Sequence, residues 1–95
     1  MAKEKEVVES KYKMNLYTRN GLLRPEIHRG TLSVMSSRYG DIIRAVSLNH
    51  WSTMNSIVDS YTSLSKRFHF DIVRTPASIE KAVEEMVQAG LILKK

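Results

Sequence analysis

The stretch "RTPASIEKAVEEMVQAGLILKK", residues 74–95, reads as a helix with a defined start and a defined stop. Thr75 is a natural N-cap, because its hydroxyl can accept from a free N–H of the first turn. Pro76 follows at the first helical position, where its fixed φ suits the helix and its missing N–H costs nothing. Ile79, Ala82, Val83, Met86 and Val87 then recur at i, i+3, i+4, i+7 and i+8, which predicts one apolar stripe. Gly90 stands where a helix commonly ends in positive φ, and Leu91 beyond it is placed to fold back on the last turn. "LILKK" is left as a short strand candidate.

Upstream, "WSTMNSIVDSYTSLSKRF" (51–68) predicts a second helix. Met54, Ile57, Val58, Tyr61, Leu64 and Phe68 form its stripe, with Ser52 as N-cap and Trp51 stapled onto the first turn. Its other face is rich in Ser, Thr and Asn, mediocre helix formers, so tertiary packing must hold it. "HFDIVRTP" (69–76) connects the two helices. "TLSVMSSRYGDIIRAVSLNH" (31–50) predicts another helix, with Leu32, Met35, Tyr39, Ile42, Ile43 and Val46 at helical spacing. Gly40 inside it either costs about 1 kcal/mol relative to Ala or splits it in two.

In "LLRPEIHRG" (22–30), Pro25 is a candidate first helical position, and the segment reads as a helical turn or an extended arm. "KYKMNLYT" (11–18) alternates, with Tyr12, Met14 and Leu16 on one face, and predicts a short strand. Asn20–Gly21 after it is a turn signal. Residues 1–10 alternate Lys and Glu and read as a mobile start.

Ninety-five residues imply a single domain, 1–95. The absence of cysteine excludes disulfides, thiolate chemistry and Cys-ligated zinc. No apolar run approaches a membrane span, and the charged start lacks the apolar core of a signal peptide, so a cytoplasmic protein without membrane contact is expected. His28, His50 and His69 lack ligand spacing, and neither paired acids nor a Gly-rich phosphate loop is present, so no enzyme, metal or cofactor is expected. The net charge is +5. Residues 1–30 hold seven Lys/Arg against four acids, residues 31–74 five against three, and residues 75–95 three against three. Any surface for a polyanion is therefore assembled mostly before Thr75.

"YTSLSKRFHFDIVRTPASIEKAVEEMVQAGLI" (61–92) resembles the helix-turn-helix part of winged-helix proteins, notably the PadR-like group and small proteins of archaeal viruses and plasmids. The likeness lies in "SKRF" closing one helix, "RTPASI" opening the next, and "VEEMVQAGLI" leading into a strand. "DIIRAVSL" (41–48) occupies the place of that fold's first helix. The resemblance covers roughly residues 41–93. It implies a mainly α fold with a small β component, a helix-turn-helix core over 41–95, and residues 11–40 as an N-terminal extension. The chain ends where a wing should begin. The wing is reduced, missing, or replaced by "KMNLYT" pairing with "LILKK".

The resemblance also implies double-stranded DNA as partner. Arg74, Thr75, Ala77, Ser78 and Lys81 would make the contacts of the recognition helix, because a helix N-terminus offers free N–H groups to phosphate. Glu84 and Glu85 further along would repel phosphate and restrict the contact to the first two turns. Lys66 and Arg67 read either as phosphate contacts or as complements to a helix dipole. Arg38 and Arg44 read either as backbone contacts or as solvated charge, as do Arg19, Arg24 and Arg29. Trp51 and Tyr61 fit core positions better than base-stacking ones.

A homodimer is expected, with Leu22, Leu23, Ile27, Leu32 and Met35 as its dimerisation surface. Three functions stay open: a transcriptional regulator of a mobile element, a plasmid partition adaptor that spreads on DNA and contacts a partner protein of a segregation complex, and a viral protein-interaction module without DNA binding.

Overall fold

A computed structural model describes residues 9–16 and 22–95. The elements are β1 (Lys11–Met14), α1 (Arg29–Ile43), β2 (Ser52–Thr53), α2 (Met54–Arg67), α3 (Pro76–Gln88) and β3 (Ile92–Lys94). Three helices thus pack with one small antiparallel sheet of order β2-β1-β3. The fold is mainly helical with a small β component, as the sequence predicts. The Asn20–Gly21 turn, Arg19 and most of the charged start lie outside the described residues.

β1 is the centre of the sheet. Tyr12 and Met14 point inward and are buried, as is Leu16 just past the strand, while Lys11 stays exposed. Its register sets Met14 opposite Ile92, Lys13 opposite Leu93 and Tyr12 opposite Lys94. Of the expected pairing of "KMNLYT" with "LILKK", Lys13 and Met14 are paired and the ladder extends back to Lys11; Tyr17 and Thr18 lie outside the described residues. On its other edge Lys11 and Tyr12 face Thr53 and Ser52. Residues 11–16 are thereby part of the core and not an appended arm.

α1 starts earlier and ends earlier than the spacing predicts. Its cap is His28, whose Nδ1 accepts from the Thr31 N–H at 3.4 Å. Pro25 does not open a helix; it lies in a turn closed by Ile27 N–H on the Arg24 carbonyl. Tyr39 leaves helical geometry at φ −130°, so the helix kinks beside Gly40. The chain then tightens, with Ala45 and Val46 buried, because Met14 N–H binds the Ser47 carbonyl and draws this segment to the sheet.

At α2 the cap is Thr53, not Ser52, which is extended in β2 and pairs with Tyr12. Trp51 lies outside the core, with the ammonium groups of Lys13 and Lys95 at 5.4 and 4.6 Å from its ring. Phe68 is 54% exposed and leaves the predicted stripe, whereas Ser65 is buried and satisfies its hydroxyl on the Thr62 carbonyl.

α3 matches its sequence reading closely. Thr75 Oγ1 accepts from Ser78 N–H at 3.1 Å, and Pro76 is in the first turn. Ile79, Ala82, Val83 and Met86 are buried. Gly90 has φ 84°, and Leu91 N–H reaches back to the Met86 carbonyl at 2.9 Å.

Candidate nucleic-acid interface

The first turn of α3 borders an open groove of about 630 Å³. α1 supplies one wall through Ser36, Ser37, Arg38, Gly40 and Asp41, and Ile72, Arg74, Thr75 and Ser78 supply the other. The hydroxyls lining it donate and accept, and the helix N-terminus adds a positive partial charge. Thr75 and Ala77 are exposed and Ser78 half-exposed. Lys81 is exposed one turn on, and among the described residues it makes no ion pair.

Arg74 is engaged within the chain. Its Nε donates to Asp41 Oδ2 at 2.8 Å, and Nη2 reaches the Arg38 carbonyl at 2.6 Å. The guanidinium also lies 5.3 Å from the Tyr39 ring centre. Its backbone N–H donates to Tyr61 Oη, which itself donates to Asp41 Oδ2, each at 3.1 Å. Arg74, Asp41 and Tyr61 thus fasten the turn before α3 to both α1 and α2. Desolvation works to raise the Asp41 carboxyl, but the guanidinium and the Tyr61 hydroxyl outweigh it, and its pKa is lowered. Burial and then the nearby carboxylate push Tyr61 up, so the hydroxyl stays protonated and donates.

Two of the three acids of α3 are also engaged; Glu80, in its second turn, is exposed. Glu84 accepts from Tyr12 Oη at 2.8 Å and from Lys94 Nζ at 3.0 Å. Those hydrogen bonds, first Lys94 and then Tyr12, lower its pKa. Glu85 accepts from Tyr39 Oη at 2.6 Å and Arg38 Nη1 at 3.1 Å. The hydrogen bond to Glu85 is the main cause that raises the Tyr39 pKa. Arg38, though it lines the groove, thereby shares its charge with Glu85.

The remaining cations are distributed elsewhere. Lys66 and Arg67 are exposed in the last turn of α2, with Arg67 stacked 5.6 Å from the Phe68 ring. Arg44 caps α1 and is exposed. Arg44 and Arg67 line a separate cleft and not the groove at α3. Of the expected dimerisation residues, Ile27 is buried in the chain's own core, and Leu23, Leu32 and Met35 pack partly against it. Leu22 is 66% exposed.

Sequence reading missed Asp41 and Tyr61 as partners of Arg74. Only one signal hinted at them: Asp41 is the single acid between Glu26 and Asp59, in a strongly basic region.

No protein family matches the chain, and neither the curated proteins nor the solved structures contain a match to it. Among the described residues no helix is long and apolar enough to cross a membrane.

Proposed function

We propose that the chain binds double-stranded DNA through the N-terminal turns of α3 and acts as a regulator of transcription. The observation that carries this reading is the disposal of charge on α3. Glu84 and Glu85, two of the three acids of α3, are tied to Lys94, Tyr12, Arg38 and Tyr39, while the first turn and Lys81 remain open and Glu80 beside Lys81 is the one acid left exposed there. A helix entering the major groove by its N-terminus needs that asymmetry. Thr75, Ala77 and Ser78 permit close approach, and Lys81 reaches phosphate or a base edge. Arg74 positions this turn instead of touching DNA.

The element order also agrees with a winged-helix-like helix-turn-helix. In this reading α1, α2 and α3 are the three helices, β2 and β3 are the first two strands, and β1 stands in for the returning strand of a wing.

The test is a gel shift at two salt concentrations with random-sequence duplex, followed by selection of a preferred site and footprinting. Affinity should fall steeply with salt. Lys81→Ala should weaken binding about tenfold and reduce the salt slope by about one. Duplex binding that is absent, or indifferent to both salt and Lys81, overturns the reading.

A further inference from the structure

A second cleft, of about 410 Å³, lies between the C-terminal end of α1 and the polar face of α2. Arg44 and Arg67 line it together with the hydroxyls of Ser47, Ser52, Ser60 and Ser63. No acid is among its lining residues. Among the described residues neither guanidinium makes an ion pair.

Two like charges facing one cleft are unfavourable unless something of opposite sign comes between them. Each arginine stands at the C-terminal end of its own helix, where the dipole is worth about half a negative charge. Two full cations against two halves leave a surplus of about one positive charge. Serine hydroxyls line the same cleft. Ser47 Oγ accepts from the N–H groups of Asn49 and His50 at 3.1 and 3.0 Å, which orients it and leaves its O–H to donate. Ala45 and Leu64 form the apolar remainder of the lining.

The ligand chemistry follows from this set. It consists of donors only where charge is concerned, with two forked cations and several hydroxyls. A tetrahedral oxyanion, with acceptor oxygens on all sides, is the chemistry that such a donor set suits. The serines of α2, poor choices for helix stability, gain a reason to be there.

We propose that the Arg44–Arg67 cleft is a binding site for a phosphate group. The site is independent of the duplex reading placed on α3. Its phosphate has two possible sources, a small phosphorylated molecule or a DNA backbone phosphodiester.

The experiment is a titration of the full chain with inorganic pyrophosphate, followed by amide and arginine side-chain NMR, with sodium chloride at matched ionic strength as control. Saturable shifts should centre on Arg44, Ser47, Ser60, Ser63 and Arg67. Arg44→Gln and Arg67→Gln should each weaken binding at least about tenfold, while Lys11→Gln, a charge-matched change outside the cleft, should leave it within about twofold. Arg44, Arg67 and Lys11 are all exposed, and superimposable amide spectra will certify folding. Repeating the titration on duplex-saturated protein distinguishes the sources. Retained pyrophosphate binding identifies a small phosphorylated molecule, and competitive loss identifies the DNA backbone; either supports the cleft. Shifts that do not saturate, that chloride reproduces, or that survive in the double arginine variant overturn it. A protein that takes up pyrophosphate but not duplex would sink only the DNA reading.

Discussion

The Arg74 side chain is about three-quarters buried, its guanidinium bonded side-on to Asp41 through Nε and Nη2, with Nη2 also reaching the Arg38 carbonyl. A cation so placed contributes geometry, because its rigid fork matches a carboxylate while a lysine ammonium presents a single point. Asp41→Asn should destabilise the fold by about 1–2 kcal/mol, between an exposed pair and a buried one. Arg74→Lys should cause a similar loss despite keeping the charge. Urea unfolding followed by circular dichroism measures both. An Arg74→Lys variant as stable as the parent would show that charge alone matters and would return Arg74 to the candidate phosphate contacts.

At the scale of elements, α2 and α3 end in the same way with different residues. In each, a residue of positive φ follows the cap and the next N–H reaches back five positions: Leu91 to Met86 after Gly90, and Phe70 to Ser65 after His69. Gly90 has φ 84°, and a Cβ there would meet nothing within 4 Å. Gly90→Ala should therefore cost about 1 kcal/mol through backbone conformation alone. His69, at φ 53°, bears the strain that glycine avoids. His69→Gly should stabilise by about 0.5–1 kcal/mol, after the greater freedom of glycine in the unfolded chain is deducted. Thermal unfolding of the two variants tests the pair, and shifts of equal sign would contradict it.

These two helix ends also mark how far the sequence is legible. α3 could be read almost residue by residue, because Thr75, Pro76 and Gly90 punctuate it locally and its stripe faces one core. The end of α2 could not, since His69 gives no local sign of positive φ. The shift of the α2 cap from Ser52 to Thr53 depends on a pairing with Tyr12, forty residues away. The early end of α1 likewise depends on Met14 reaching the Ser47 carbonyl. The groove's open hydroxyls were legible at Thr75 and Ser78. The commitment of Arg74 to Asp41 was not, because it spans 33 residues and leaves no periodic trace.

Two of the carboxylates that tie distant parts of the molecule together titrate below their ordinary values. Asp41 joins α1 to the turn before α3, and Glu84 joins α3 to β1 and β3. A carboxyl whose folded pKa is depressed favours the folded state wherever it is ionised, above its unfolded value. That contribution is complete above the ordinary values of 3.8 and 4.5 and disappears as pH falls through the lower folded values. The urea midpoint should thus stay nearly level from about pH 5 to 8 and decline below about pH 4. A variant carrying Asp41→Asn and Glu84→Gln should start lower and decline less. A parallel decline in both proteins would place the acid sensitivity elsewhere.

The sheet makes a stronger demand on the whole molecule. Its central strand comes from near the start of the described residues and its neighbour β3 from their end, so the pairing closes a loop that spans nearly all of them. Lys11 and Lys95 exchange both backbone hydrogen bonds, at 3.1 and 3.0 Å. That is the geometry of the residues flanking a two-residue hairpin turn. A chain that starts at Leu22, runs to Lys95, continues through Asn-Gly and then from Lys11 to Leu16 should therefore keep every described strand pairing. Its stability should lie within about 1 kcal/mol of the parent, since cutting between Leu16 and Leu22 removes no described sheet contact and the new turn adds a favourable one. It should also fold faster, because β1 and β3 become a local hairpin. Denaturant unfolding and stopped-flow refolding measure the two effects. If the rearranged chain does not fold, the β1–β3 register is wrong, and with it the proposal that β1 takes the place of a wing's returning strand.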